Sequence, residues 1–139
     1  MSTSPTYLYK LIPSSSPVPL SASDLPVKLP VSKLDQESEF IHLSTSVQVP
    51  NTLKLFFAEE KTVYVLRLPY GRLEEENLIK WEDPKGEAGP RGGEGVFPHL
   101  YNGLKLGQDE VDSIKVLEAV AGSWDKPIED AITEKWFVY

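Results

Sequence analysis

Cysteine is missing altogether, and with it every disulfide and every thiolate metal site. That fits a reducing compartment and is compatible with any other. Positive charge is in deficit: 14 Lys and Arg stand against 21 Asp and Glu, a formal net charge of −7. A broad nucleic-acid surface is excluded on that ground, because it needs clustered Lys and Arg. One small anionic ligand held locally is not. No apolar run approaches the roughly 20 residues of a membrane helix. Met1 to Thr6 lacks the charged-then-apolar layout of a secretory signal, so a cytoplasmic location is expected. Histidine is scarce as well, with two in the whole chain. Where they stand becomes the best pointer to a site.

The remainder is ordinary for a globular chain of 139 residues, enough for one domain with a real core. Residues 1–6 read as a frayed end, 7–120 as the domain, and 121–139 as an aromatic extension packing on it. Tyr7 to Ile12 is aromatic and aliphatic with no breaker, hence a strand. Residues 13–31 are rich in Pro and Ser and read as an extended surface excursion. Ser32 can cap a short turn through Leu34 to Glu37. Glu39 to Ser44 is a second strand. Thr45 or Ser46 then caps a helix over about 47–58, with Val49, Leu53, Phe56 and Phe57 at helical spacing. Thr62 to Leu68 is apolar on both faces apart from Arg67, as in a central strand, and ends at Pro69 and Gly71. Leu78 to Glu82, Val96 to Tyr101 and Ser113 to Leu117 complete the strand candidates. Asp83 to Gly95 holds five of the nine glycines and is a loop, plain or lid-like. It lacks both the GxxxxGK[ST] and the GxGxxG phosphate patterns. A short helix is expected from Pro127 to about residue 135. Strands and helices do not alternate regularly, which implies an α+β fold. The acidic runs at Glu59-Glu60, Glu74 to Glu76 and Glu82-Asp83 read as solvated surface.

The two histidines recur in similar settings, Phe40-Ile41-His42-Leu43-Ser44-Thr45 and Val96-Phe97-Pro98-His99-Leu100-Tyr101. On a strand, Phe40, His42 and Ser44 share one face, while Ile41 and Leu43 take the other. His99 and Tyr101 are related in the same way. Trp81 and Glu82 are adjacent and therefore face opposite sides of their strand. Trp81 suits either stacking on a flat ring or filling a core. Three chemistries use such a set. A nucleotide-binding transferase needs an aromatic, hydroxyls, imidazoles and an acid. A metal-dependent enzyme would combine His42, His99 and Glu82, although no close pair such as HExxH is present. A non-catalytic ligand- or protein-binding module needs the same contacts without turnover. Ser44 as a hydrolase nucleophile has no support, because no GxSxG elbow exists.

The same residues resemble the family called domain of unknown function 952. Its marks are a first-strand Tyr-His or Tyr-Lys pair, an FIH(C/L)ST…QVP segment, a WE pair and FPHLY. They stand here as Tyr9-Lys10, Phe40 to Thr45 with Gln48-Val49-Pro50, Trp81-Glu82, and Phe97 to Tyr101. The opening LYKLIP and the PVSKLD stretch look like the eukaryotic branch. The resemblance spans about residues 7–118. It implies a fold similar to that of the ADP-ribosyltransferase superfamily, which includes the RNA 2′-phosphotransferases. Such a fold is a small, split, twisted β-sheet with few helices and a cleft for NAD or an ADP-ribose-like group. Carried over by position, Lys10 takes a first-strand place where many relatives have His. A charged Lys only donates, so it suits phosphate. His42, Ser44 and Thr45 fall on the second motif, and His99 near a place where Glu is usual.

The expectation is therefore a cleft lined by His42, Ser44, Thr45, Trp81, Glu82, His99 and Tyr101, with Lys10 as a further ligand contact. The ligand would be NAD, ADP-ribose or a phosphorylated ribose. His42 and His99 would orient or protonate it, Trp81 would stack, and Glu82 would act as general base.

Overall fold

β1 (Tyr7–Pro13), β3 (Thr62–Pro69) and β6 (Ser113–Glu118) form one antiparallel sheet in the order β1-β3-β6. β2 (Ile41–His42), β4 (Ile79–Glu82) and β5 (Phe97–Leu100) form a second, in the order β2-β5-β4. The helices are α1 (Lys33–Ser38), α2 (Val49–Phe56), α3 (Tyr70–Glu75) and α4 (Asp125–Thr133). The computed structural model describes residues 4–139, and the fold is α+β with two small antiparallel sheets. A backbone bridge links the first sheet to the segment that follows β2. Tyr9 N donates to Ser44 O at 2.8 Å, and Ser44 N donates to Tyr9 O at 2.9 Å.

β3 is central, as its two-sided apolar pattern requires. Leu66 and Leu68 enter a first core with Leu8, Ile41, Leu43 and Leu100, between the sheets. Val63 and Val65 enter a second core with Tyr9, Leu11, Val49 and Leu53 on the other side. Trp124, Ile128, Ala131 and Phe137 of the C-terminal segment complete that second core. Tyr9 Oη donates to Trp136 O at 2.7 Å and accepts from Val138 N at 2.9 Å, tying the tail to β1.

Several local expectations are corrected. Residues 1–3 of the expected frayed end lie outside the described residues. Thr6 is held, its N–H donating to Tyr139 O at 2.6 Å and its carbonyl accepting from Tyr70 N at 3.0 Å. The 13–31 segment is not wholly superficial: Leu25 and Leu29 are buried in the first core. Leu29 N donates to Leu106 O, and a side chain on Gly107 would run into the carbonyls of Pro26 and Val27. Phe56 of α2 is 77% exposed, so the buried face of that helix is Val49 and Leu53 with Phe57 beside them. α3 follows β3 directly, where the sequence suggested only a stop. Pro69 serves as its N-cap, with extended backbone. The Gly-rich stretch folds back on β4, with Gly89 N donating to Trp81 O at 2.9 Å and Arg91 paired to Glu74 at 2.6 Å.

Candidate functional site

The strand register decides which side chains meet. β2 and β5 pair with His42 opposite His99, and β5 and β4 pair with His99 opposite Lys80. Side chains two apart share a face, so Phe40, His42, His99, Tyr101, Lys80 and Glu82 lie together. Ile41, Leu43, Leu100, Ile79 and Trp81 point the other way, into or against the first core. The imidazole centroids are 5.2 Å apart. The Phe40 ring stacks on His99 at 4.1 Å and 21°, and lies 4.6 Å from His42 and 5.0 Å from Tyr101. Glu39, in the left-handed region at φ 65°, ends α1 and turns the chain so that Phe40 covers the pair.

Each imidazole is backed by a carboxylate. His42 Nδ1 lies 2.7 Å from Asp35 Oδ1, which also accepts from His42 N at 3.2 Å. Asp35 Oδ2 accepts from Lys10 Nζ at 2.7 Å, and Lys10 donates to His42 O at 3.2 Å. Lys10 thus reaches from the first sheet across the split to the second. Opposite, His99 Nδ1 lies 2.9 Å from Glu82 Oε1, which also accepts from Tyr101 Oη at 2.6 Å. Lys80 Nζ stands 4.4 Å above the Tyr101 ring.

Burial works against the charge on Asp35, but hydrogen bonds from His42 and Lys10 outweigh it and hold the carboxyl below its usual range. Desolvation of Glu82 is likewise outweighed, by Tyr101 and His99. Burial lowers His99, with His42 adding to the effect against the opposing pull of Glu82. Burial, then Glu82, pushes the Tyr101 phenol up to about 12. Ionised carboxylates only accept, so Nδ1 of each ring carries the proton. Nε2 of each ring is the remaining nitrogen. Among the described residues the hydrogen bonds of both rings are made at Nδ1, and Arg91 Nε is the sole sealed side-chain nitrogen or oxygen without a partner. The imidazoles differ in exposure: the His42 side chain is 35% exposed and that of His99 6%.

Of the residues singled out from sequence, the structure brings His42, His99, Glu82 and Tyr101 onto one face, with Lys10 behind His42. It turns Trp81 away. Its indole donates to Tyr70 Oη at 3.2 Å and packs against the first core. Thr45 is engaged in a capping box: its Oγ accepts from Gln48 N at 3.3 Å, and Gln48 Oε1 accepts from Thr45 N at 3.1 Å. Ser44 is buried, its backbone held by Tyr9. Hollows of about 250 and about 520 Å³ are lined respectively by residues such as Arg72 and Asp109, and Lys28 and Leu104, with neither His among them. Asp35 was missed. Its signal was the S-x-x-D of Ser32 to Asp35, legible as a cap and silent about burial. No group of three potential metal ligands is assembled among the described residues.

The family described as Protein of unknown function (DUF952) matches residues 22–114. The chain belongs to that family. A crystal structure of protein CC0527 from Caulobacter crescentus is similar to it at 27% identity and a TM-score of 0.62, covering 86% of this chain and 92% of that one. The solution NMR structure of CC0527 covers 90% of this chain and 96% of that one, at 23% identity and a TM-score of 0.64. No curated protein matches the chain.

Proposed function

We propose that this DUF952 protein binds a nucleotide-like ligand on the face bearing His42 and His99, and acts at its ribose or phosphate. NAD, ADP-ribose and a phosphorylated ribose are the ligand classes. One observation carries the reading: two imidazoles stand opposite each other on paired strands, each engaged at Nδ1 by a carboxylate, which leaves Nε2 of each for a ligand. Such a pair can orient an anionic group and handle protons at it. The split into two three-stranded sheets supports an ADP-ribosyltransferase-like fold, which remains an analogy for function. His42 and His99 are the catalytic residues of this reading. Asp35, Glu82 and Lys10 position them, so Glu82 passes from general base to support. Stacking passes from Trp81 to Phe40, the half-buried aromatic on the imidazole face.

A thermal-shift screen over NAD, ADP-ribose and ribose phosphates tests binding. A ligand at a hundred times its Kd stabilises the fold by about 2.7 kcal/mol. Turnover of labelled NAD or 2′-phosphorylated RNA, lost in His99→Ala and kept in Lys126→Ala, establishes the enzyme. Binding without turnover establishes a ligand-binding module instead. A screen in which nothing binds sinks the proposal.

A further inference from the structure

Resting on that reading, we propose that His42 and His99 form a proton-coupled clamp for a phosphate monoester, so that the ligand carries a terminal phosphate on its ribose. The cross-strand register places the rings 5.2 Å apart with both Nδ1 atoms already donating to carboxylates. A ring in that state has only a lone pair at Nε2 and cannot donate to an anion until it takes a second proton.

The surrounding charges make that proton the deciding element. Lys10 on β1 is paired with Asp35 of α1, and Lys80 lies near Glu82 on β4. Tyr101, after β5, is a neutral phenol donating to Glu82. With both imidazoles neutral, two cations and two carboxylates cancel, and the face has no net pull on an anion. With both protonated it carries a charge of +2, which the rings oppose in each other until an anion bridges their Nε2 atoms. A monoester carries close to two negative charges and three acceptor oxygens, enough for one short charge-assisted bond to each Nε2. A diester, with a single charge, neutralises one imidazolium and leaves the other facing it. The ligand and the protons therefore arrive together. That favours a terminal ribose phosphate, with its charge and three acceptors on one phosphorus, over NAD or ADP-ribose, whose two charges are spread over two bridging phosphates.

Adenosine 5′-monophosphate and adenosine 3′,5′-cyclic monophosphate differ in this respect while keeping base and ribose. Titration calorimetry of each, in two buffers of different protonation enthalpy at about pH 7.5, reads affinity and proton uptake on the unaltered protein. The monoester is expected to bind at least about tenfold tighter, with net proton uptake. Its affinity should fall about tenfold per pH unit for each proton taken up. Ribose 5-phosphate should show the same uptake, which assigns it to the phosphate and not to the base. In His42→Gln both the preference and the uptake should diminish. Equal affinity for the two nucleotides, or heats independent of buffer, would overturn the clamp and leave nucleotide binding standing. If no nucleotide or sugar phosphate binds, the clamp fails together with the reading beneath it.

Discussion

Asp35 is 1% exposed and accepts three hydrogen bonds, from Lys10 Nζ and from the backbone and ring nitrogens of His42. Removing one partner of a buried ion pair costs far more than the pair is worth, because the other charge stays behind. Asp35→Asn is therefore expected to destabilise the fold by about 3 kcal/mol, read from urea unfolding. A loss under about 1 kcal/mol would show that Lys10 finds water as readily as it finds the carboxylate. The titrating groups also fix a pH profile. Asp35 and Glu82 have depressed carboxyls, so their contribution is full above the unfolded value near pH 4 and is lost as pH falls through the folded values. His99 is a depressed base. The unfolded chain takes up its proton near pH 6.5 and the fold only at lower pH, so stability declines as pH falls through that window. The urea midpoint should thus fall in two stages on acidification, and His99→Gln should remove the upper one. A midpoint flat from about pH 7 to pH 5 would contradict this.

Capping chemistry is where sequence and structure agree most closely at the scale of elements. Ser32 accepts from Asp35 N at 3.1 Å and starts α1, while Thr45 and Gln48 bond across the turn that leads into α2, whose own N-cap is Gln48 with no side-chain cap. Both follow from a hydroxyl beside orphan N–H groups, a local matter. β2 starts later than its apolar run suggests, because Glu39 adopts the left-handed region rather than extending the strand. Nothing in the residue type announces that conformation, which glycine or asparagine would normally occupy. Glu39→Gly should therefore leave stability within about 1 kcal/mol of the parent, strain relief offsetting the freer unfolded chain. Glu39→Val should cost about 1–2 kcal/mol or more, both measured by denaturant unfolding. If the valine variant equals the glycine one, the turn over Phe40 is set by something other than backbone preference. α3 is hidden in the sequence for a related reason. Pro69 reads as a terminator of β3, and it is also a good residue with which to begin a helix.

At the scale of the whole molecule, the first sheet is buried on both sides, and the C-terminal segment covers one of them. Trp124, Ile128, Ala131 and Phe137 shield Tyr9, Leu11, Val63, Val65 and Leu117 from water. Burying one large apolar side chain contributes about 1.5–3 kcal/mol, while whole domains are stable by only about 5–15 kcal/mol. Ending the chain after residue 120 is expected to abolish cooperative unfolding, seen as loss of the thermal transition and of near-ultraviolet dichroism. A truncated chain that still melts cooperatively would show that the two cores are energetically separate. The family match ends at residue 114, so this cover lies beyond it.

The sequence by itself determined the α+β class, the strand at β3, the caps, and the two segments that carry imidazoles. Each of these rests on periodicity or on a hydroxyl near free N–H groups, which act over a few residues. It also determined that Trp81 and Glu82 part company, since strand neighbours alternate. Only the tertiary structure decided which of them faces the core, because that depends on which side of β4 the first sheet packs against. It alone brought residue 42 opposite residue 99, and buried Asp35 behind one imidazole with a lysine from the other sheet. Those meetings join residues up to 57 positions apart (99 − 42), and pairing at such separation is set by register and burial, not by local propensity.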